Sequence, residues 1–332
     1  LNKIFSTGNL QGEFSIPFNS DGSVAENYEI NAKVLNADLN ISDNFKISNL
    51  STDIKYFFKS DQDKEINIFI NQGKILNLDL QKSLIEINLK NDKKIIKSKI
   101  KTKGTSKYPE IKIISSLLGI NLNDIKNVEL TSDLETSVKL WLDKRFKITD
   151  RAFTVKGKIN SFNLEHEEIK SIKKFLPSYT SKIILKDSEI SFNQANNLEL
   201  SGLIKFEDQF KDFILRYSEP EGKNFRVGGK INLYDLALKI PNLNYSKEKK
   251  SNADVDFYIN GSKFGYNIGR LSYSSGASKI ELDEVDLNKK LEIKDIKSIK
   301  ITTFNNKIKN NNFHIRKHGT LKNTIFITGE LI

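Results

Sequence analysis

The residues that most often perform acid–base or metal chemistry are scarce in this chain. It contains three histidines (His166, His314 and His318) and no cysteine. Without cysteine there are no thiolate nucleophiles, disulfides, iron–sulfur clusters or Cys-type zinc sites. His314 and His318 have a spacing that puts both on one side of a helix or strand, but the neighbouring Arg316 and Lys317 oppose a cation. We therefore expect no metal site.

The other combinations that resemble catalytic groups have ordinary explanations. Ser171 and Lys174 have the spacing of a lysine-activated serine, but a chain this rich in serine and lysine produces that spacing by chance. Asp254 and Asp256 lie on the polar side of an alternating strand. No glycine-rich phosphate loop or dinucleotide fingerprint is present. We therefore expect no enzymatic activity and no cofactor.

The charge balance is basic, with 53 Lys+Arg against 42 Asp+Glu and a formal net charge of +11. Acidic residues are interspersed with the basic ones, so we interpret the basic runs as solvated faces and expect no nucleic-acid partner. The chain has no methionine, and we interpret it as a fragment or processed product. It has no run of eighteen apolar residues, so any membrane anchor is expected outside it.

The dominant pattern is period two, which is typical of strands with one apolar face. In the clearest example, Phe225, Val227, Gly229, Ile231 and Leu233 alternate with polar residues. Ala253–Ile259 and Phe153–Ile159 follow the same rule. Further strands are predicted at 28–34, 54–58, 66–70, 76–80, 85–89, 128–130, 138–142, 183–185, 190–192, 198–206 and 325–331.

Two windows depart from this pattern. Residues from Tyr108 to Leu118 and from Glu165 to Leu176 place apolar residues at helical spacing, with Pro109 suited to a first helical turn. Two short amphipathic helices are therefore expected, and the second has Glu167 and Glu168 near its positive N-terminus.

A twelve-residue segment is repeated within the chain. Residues 153–164 and 225–236 share seven identical positions, and a weaker copy begins at Ile30. The small residue in each copy (Gly157, Gly229 or Ala32) indicates a close approach of backbones. The apolar parity then switches, between Ile159 and Phe162 and between Leu233 and Leu236, so each copy is expected to be a strand followed by a β-bulge or turn and a second strand. Repetition predicts a sheet that grows by adding similar units.

Such a sheet exposes more apolar surface than two helices can cover. About fifteen strands of about seven residues present roughly 1,600 Å² on one face, whereas two short helices shield about 300 Å². The sheet must therefore fold into a sandwich, close into a barrel, or curl into a trough whose apolar interior holds a guest molecule.

The serial strands with small-Lys-apolar beginnings and an Asn/Asp-Leu step resemble the AsmA-like superfamily, as does the Lys103-Gly104 entry to a Pro109 helix. Within that superfamily the chain is most similar to the large envelope proteins of the YhdP and TamB type. The resemblance implies an all-β fold: an elongated, twisted, mostly antiparallel sheet curled into an apolar trough. We expect one continuous repetitive segment over residues 1–332, with a subdivision into 1–107 and 108–332 as the alternative.

The resemblance also implies a function. Members of this family are lipid carriers of the Gram-negative periplasm, anchored in the inner membrane, that move phospholipid toward the outer membrane. The anchor would then be a missing N-terminal helix. Acyl chains would be the partners of the inward apolar residues, at about 0.8 kcal/mol per buried methylene. The residues expected to line the groove are Phe153, Val155, Ile159, Phe225, Val227, Ile231, Leu233, Val255, Phe257 and Ile259.

A different interpretation of the same residues is an ordinary protein core. The chain would then be a structural or adhesive β-rich surface protein. For any one residue, core packing and groove lining make the same demand, since both require an inward apolar side chain. An outer-membrane barrel is disfavoured because nearly every polar face carries full charges and no aromatic girdle is present.

Overall fold

The computed structural model describes residues 6–42, 45–60, 62–90, 93–117, 121–219, 224–305, 308–317 and 325–331. In this part of the chain the all-β class is confirmed. Antiparallel pairing links 19 strands into one sheet, and two short strands form a separate two-stranded sheet. Two short α-helices and one turn of 3-10 helix interrupt the described strands.

The chain divides into two compact units. The first comprises residues 1–123 and 128–161, and the second comprises residues 124–127 and 162–332. The subdivision considered from the sequence, after residue 107, falls inside the first unit.

The first unit is built from strands that pair largely in chain order. Its elements are β1 (Ser6–Ser15), β2 (Tyr28–Ser42), β3 (Phe45–Ser60), β4 (Asp63–Ile75), β5 (Leu78–Leu80), β6 (Ser83–Lys90), β7 (Lys93–Lys107), α1 (Tyr108–Leu117), most of β8 (Ile125–Leu142) and most of β9 (Ile148–His166). The short β5 and the longer β6 both pair with β4 on one side and with β7 on the other. The strand predicted at 76–80 is therefore partly wrong. Leu76 has a positive φ of 55° and forms the turn between β4 and β5.

Helix α1 confirms the first helix prediction. It begins at Tyr108 with Pro109 in its first turn, where the missing N–H of proline leaves no helical hydrogen bond unmade. The Glu110 carboxylate accepts hydrogen bonds from the Lys107 backbone N–H at 3.0 Å and from the Asn77 side chain at 2.6 Å. These contacts fix the start of the helix beside the turn that precedes β5. The predicted last apolar position, Leu118, lies outside the described residues.

The second unit contains the remaining elements. They are α2 (Lys170–Phe175), β10 (Lys182–Asn193), β11 (Leu198–Lys205), β12 (Lys211–Ser218), β13 (Phe225–Asn232), β14 (Leu238–Ile240), the 3-10 turn (Pro241–Leu243), β15 (Tyr245–Lys247), β16 (Asp254–Ser262), β17 (Gly265–Ser275), β18 (Ser278–Asn288), β19 (Ile293–Asn305), β20 (Ile308–Lys317) and β21 (Ile325–Leu331). Strands β10 to β13 and β16 to β21 each pair with the next in that order, while β14 and β15 pair with each other.

Helix α2 is shorter than the sequence predicted. It begins at Lys170 instead of Glu165 because the preceding residues continue sheet pairing: the His166 N–H donates to the Ser181 carbonyl at 3.1 Å, and the Glu167 N–H donates to Asp124 at 2.8 Å. The idea that Glu167 and Glu168 occupy the helix N-terminus is therefore wrong. Their carboxylates lie 3.3 Å from the Lys126 ammonium and 3.0 Å from that of Lys173, respectively.

The glycines of the repeated segment confirm the predicted close approach of backbones. A Cβ added to Gly157 would collide with the Asp133 carbonyl oxygen, and one added to Gly229 would collide with that of Ile214. Gly157 also has a φ of +150°, which L side chains rarely adopt.

The two copies of the repeat differ after their shared strand. The first copy lies wholly within β9, whereas the second leaves the sheet at Asn232. Between Leu233 and Leu236 the predicted bulge or turn is a turn, closed by a hydrogen bond from the Leu236 N–H to the Leu233 carbonyl at 3.1 Å. The Asn232 side chain assists this turn by accepting from the Tyr234 N–H at 2.9 Å.

Candidate functional site

Six of the ten residues expected to contact acyl chains lie on one face of β13 and β16 in the second unit. Val227 pairs with Ile259, and Ile231 pairs with Val255. Residues directly opposite in antiparallel strands point to the same side, so these side chains form one surface. All six are half-buried and therefore keep accessible apolar area. The six are Phe225, Val227, Ile231, Val255, Phe257 and Ile259.

This face continues across ten strands of the second unit. One row of directly paired residues runs from β10 to β21 and consists of apolar side chains, with a single glycine among them. Nine steps between strands, at about 4.8 Å each, make this row about 43 Å long. The row is Ile190, Leu200, Leu215, Gly229, Phe257, Leu271, Leu282, Ile299, Ile315 and Ile327.

The first unit carries a comparable face. A row of seven directly paired residues crosses β1 to β4 and β6 to β8, and each is isoleucine, leucine or aromatic. Phe14 is 68% exposed, and the other six are half-buried. The row is Phe14, Ile30, Tyr56, Ile66, Ile87, Ile96 and Leu140.

Little of the first unit's apolar face is deeply buried. Its core cluster centres on Ala37, Leu50, Ile70 and Leu80, and every residue assigned to that cluster comes from a strand. The residues in and around this apolar cluster therefore all belong to the sheet. The site residues expected in this unit are Phe153 and Val155, which are half-buried, and Ile159, which is 6% exposed.

Sequence reasoning missed the first unit's row as a site although it predicted most of its strands. The signal was available, because Ile30, Ile54, Ile66, Ile85 and Ile87 obey the same alternation as the nominated residues. The missing step was the register between strands. The register decides that the apolar sides of seven strands lie on one face of the sheet.

The tenth expected groove residue, Leu233, is half-buried, and its N–H donates to the Ala253 carbonyl at 2.7 Å, which continues the β13–β16 pairing by one residue. It follows the end of β13 and belongs to residues 233–253, which leave the sheet between β13 and β16. We call this segment the cover. Leu233, Leu238, Ile240 and Leu243 of the cover pack against the main core cluster of the unit.

The cover buries one part of the second unit's apolar face. Tyr245 and Ala253 join sheet residues in a cluster whose members are at most 8% exposed. The Tyr245 and Tyr273 hydroxyls are 2.9 Å apart and share a hydrogen bond. Burial and this hydrogen bond raise the pKa of Tyr273 above its ordinary value. The sheet residues of this cluster are Tyr273, Ile280, Val285, Ile296, Ile299 and Ile301.

Two buried charged side chains hold the cover in place. The Asp235 carboxylate, in a residue that is 3% exposed, accepts hydrogen bonds from the backbone N–H groups of Glu207, Asp208 and Gln209. Lys247 is 4% exposed and donates to backbone carbonyls of the cover. Burial lowers the pKa of Lys247, an effect opposed by the carboxylates of Asp235 and Glu248.

Beyond the cover, the apolar face remains accessible. A cleft of about 1270 Å³ lies at the end of the second unit where β13 begins and β16 ends, and Phe225, Tyr266 and Leu287 line it together with a larger number of polar and charged residues. Phe225 contacts Tyr266 edge to face, with ring centroids 6.4 Å apart. The second unit therefore combines a covered region and an open region on the same face.

The opposite faces of the sheet carry most of the charged side chains, together with apolar ones such as Phe69 and Trp141. In the first unit the Lys99 ammonium lies 3.0 Å from the Glu135 carboxylate, and in the second the Arg270 guanidinium lies 2.7 Å from Asp256. Such exposed pairs contribute little stability, about 0 to 1 kcal/mol each. The sheet therefore has one predominantly apolar side and one side that carries the charged residues together with some apolar ones.

The two histidines in the described part of the chain, His166 and His314, make ordinary hydrogen bonds. The two ring nitrogens of His166 lie 2.6 Å from the Glu167 carbonyl and 2.6 Å from the Tyr179 hydroxyl. His314 lies on β20 with Nε2 2.9 Å from the Ser298 hydroxyl, and His318 is outside the described residues. No group of three or more His, Asp or Glu side chains capable of holding a metal occurs among the described residues.

Comparison with known proteins gives no match to a family model, to a curated protein or to a solved structure. None of the described helices has the length and hydrophobicity that a bilayer crossing requires.

Proposed function

We propose that this chain is a non-enzymatic lipid-binding and lipid-conducting segment of an AsmA-like envelope protein. In this proposal it lies in the periplasm of a Gram-negative bacterium. It is anchored in the inner membrane by a segment outside the present sequence, and it carries phospholipid between the inner and outer membranes. Phospholipid acyl chains are the ligands.

The observation that carries the proposal is the set of paired apolar rows, most of whose side chains are half-buried, with Ile299 buried at 6% and Phe14 and Ile327 exposed at 68% and 67%. Within each unit, the sheet presents leucine, isoleucine and aromatic side chains strand after strand on one face. A monomeric protein rarely leaves a continuous apolar patch of this extent without an interaction partner. An acyl chain lying along such a row would lose contact with water at about 0.8 kcal/mol per methylene.

The repetition of similar side chains supports movement as well as binding. Ile66, Ile87 and Ile96 are successive members of one row, so a chain displaced by one strand exchanges one isoleucine contact for another. Nearly equal contact energies along the row imply small barriers to sliding. No covalent step is required.

The test is the lipid content of the purified protein, measured by native mass spectrometry and thin-layer chromatography of an organic extract. Ile87→Glu places a carboxylate in the row and should strongly reduce bound phospholipid, because a charge next to an acyl chain is costly to desolvate. Asn88→Glu adds the same charge one residue away on the other face and should leave the lipid content unchanged.

A photoreactive benzoyl-phenylalanine at position 87 or 88 provides a second readout that does not depend on a destabilising charge. Crosslinks to phospholipid are expected from position 87 and not from position 88. Equal crosslinking from both positions, or purified protein free of phospholipid, would contradict the proposal.

The alternative is a structural or adhesive surface protein, and the covered part of the second unit favours it. There, Tyr245, Ala253 and Tyr273 form an interior with almost no exposure, as an ordinary core does. If Ile87→Glu and Asn88→Glu behave alike and no lipid co-purifies, the half-buried rows are core margins and this alternative holds.

A further inference from the structure

Two hairpin turns, Asp143 to Lys147 in the first unit and Asn288 to Glu292 in the second, have the same hydrogen bonds. The N–H of the first residue (Asp143 or Asn288) donates to the carbonyl of the fifth residue (Lys147 or Glu292) at 2.9 Å. The N–H of the fourth residue (Phe146 or Leu291) donates to the carbonyl of the first residue at 3.0 Å. The first side chain also accepts from the third N–H at 2.8 Å. The two turns therefore have the same hydrogen-bonded conformation.

The fourth position of this turn has a left-handed backbone. Phe146 has a φ of 60° and Leu291 a φ of 63°. A third hairpin, Asn193 to Asn197, has the same closing hydrogen bonds and places Asn196 there at φ 53°. Asparagine and glycine suit this conformation, whereas large apolar residues adopt it at a cost.

Burial does not explain the choice of phenylalanine and leucine. Phe146 is 61% exposed and Leu291 is 63% exposed. By contrast, Leu76, which also has a positive φ, is half-buried within the first unit. Two large apolar side chains therefore stand at turn tips where both the backbone and the solvent disfavour them.

Each apolar tip follows two basic residues. Lys144 and Arg145 precede Phe146, and Lys289 and Lys290 precede Leu291, all of them exposed. The third turn, with asparagine at its fourth position, has the uncharged Gln194 and Ala195 instead. Cations and an exposed apolar tip therefore occur together in two turns and are both missing from the third.

Residues next to the two turns add further basic and exposed apolar side chains. In the first unit the Lys94 ammonium lies 3.4 Å from the centroid of the Phe146 ring. In the second, Phe264 is 71% exposed at the adjacent β16–β17 turn and follows Lys263, while Ile293 is 60% exposed and precedes Lys294. Each tip places exposed apolar side chains next to lysine or arginine, with one acidic residue in the turn, Asp143 or Glu292.

We infer that the Phe146 and Leu291 turns are interfacial anchors that insert into the surface of an anionic phospholipid membrane. A convex apolar side chain can enter the boundary between headgroups and acyl chains while its basic neighbours reach phosphate oxygens. An acidic protein is the less suitable partner, because protein interfaces depend on extended complementary surfaces and each tip is one turn wide. The inference does not require lipid on the apolar faces.

The experiment is flotation of the purified chain with vesicles of phosphatidylcholine alone or mixed with phosphatidylglycerol, at low and high salt. Binding is expected to the anionic vesicles only and should weaken with salt. The double variant Phe146→Asn/Leu291→Asn should bind about tenfold more weakly. Its melting temperature should stay the same or rise, since asparagine suits the left-handed position. Lys289→Gln and Lys290→Gln should each weaken binding about fivefold.

Phe18→Asn is the matched control. Phe18 is 67% exposed in a loop without basic neighbours, so its replacement should leave vesicle binding unchanged. Equal binding to neutral vesicles, wild-type binding by the double variant, or an equal loss with Phe18→Asn would overturn the inference. Salt-sensitive binding to an acidic protein without binding to vesicles would also overturn it.

The same preparations separate this inference from the proposed function. The double variant should retain the wild-type content of co-purified phospholipid, because neither tip belongs to the paired rows. Protein without bound lipid that still floats with anionic vesicles would contradict only the proposed function.

Discussion

The ammonium group of Lys247 donates a hydrogen bond to the backbone carbonyl of Leu236 at 2.6 Å inside the cover. It also donates to the Leu233 carbonyl at 2.8 Å and to that of Glu248 at 3.1 Å. One side chain thus satisfies three carbonyls of a segment that has little regular structure of its own. This explains how residues 233–253 form a defined interior against the sheet.

Replacing Lys247 with methionine should destabilise the protein by about 2 to 4 kcal/mol, because buried carbonyls lose their hydrogen-bond donors. Chemical denaturation measures this loss, and hydrogen exchange should show reduced protection of residues 233–253. The control is Lys249→Met, which removes an exposed lysine and should cost less than about 0.5 kcal/mol. Equal losses for the two variants would show that Lys247 does not hold the cover.

Gly157 and Gly229 should each resist replacement by alanine. The added methyl group meets a carbonyl oxygen of the neighbouring strand at both positions, and we expect a loss of about 2 kcal/mol or more in unfolding free energy. Gly157→Ala should be the worse of the two because its φ of +150° adds backbone strain. In Gly12→Ala the methyl group makes only an ordinary contact with Phe14, so this variant should remain close to wild type.

The Tyr245–Tyr273 pair should make the protein sensitive to alkali. Because the pKa of Tyr273 is raised above the ordinary value of 10.0, the folded state keeps a proton that the unfolded state releases. The stabilisation is complete below pH 10 and decreases as pH rises further. Urea denaturation on both sides of pH 10 should show this decrease in the wild type and a smaller one in Tyr273→Phe. The exposed Tyr258, changed to phenylalanine, should leave the wild-type slope unaltered.

Several local features were predictable because they depend on neighbouring residues in the chain. Proline in a first turn and apolar residues at helical spacing located α1, and the small residues of the repeat located two close approaches of backbones. The limits of α2 were not predictable. The backbone hydrogen bonds of His166 to Ser181 and of Glu167 to Asp124 take precedence over their local helical spacing.

The candidate site likewise has features that the sequence predicted and features that it did not. Alternation identified Val227, Ile231, Val255 and Ile259 as members of apolar strand faces, and the structure places them on one surface. Alternation also assigned Leu233 to that surface. Leu233 is the first residue of the Asn232-assisted turn and packs against the buried cluster that the cover completes, a contact that alternation could not show.

The sequence by itself determined the all-β class and which side of each strand is apolar, because period-two alternation follows directly from the geometry of an extended chain. The tertiary structure alone decided which apolar sides form common rows, which part of the second unit's face is covered, and that Phe146 and Leu291 stand exposed in equivalent turns. These features depend on register and on contacts between residues far apart in the chain. Local pattern carries no information about such contacts.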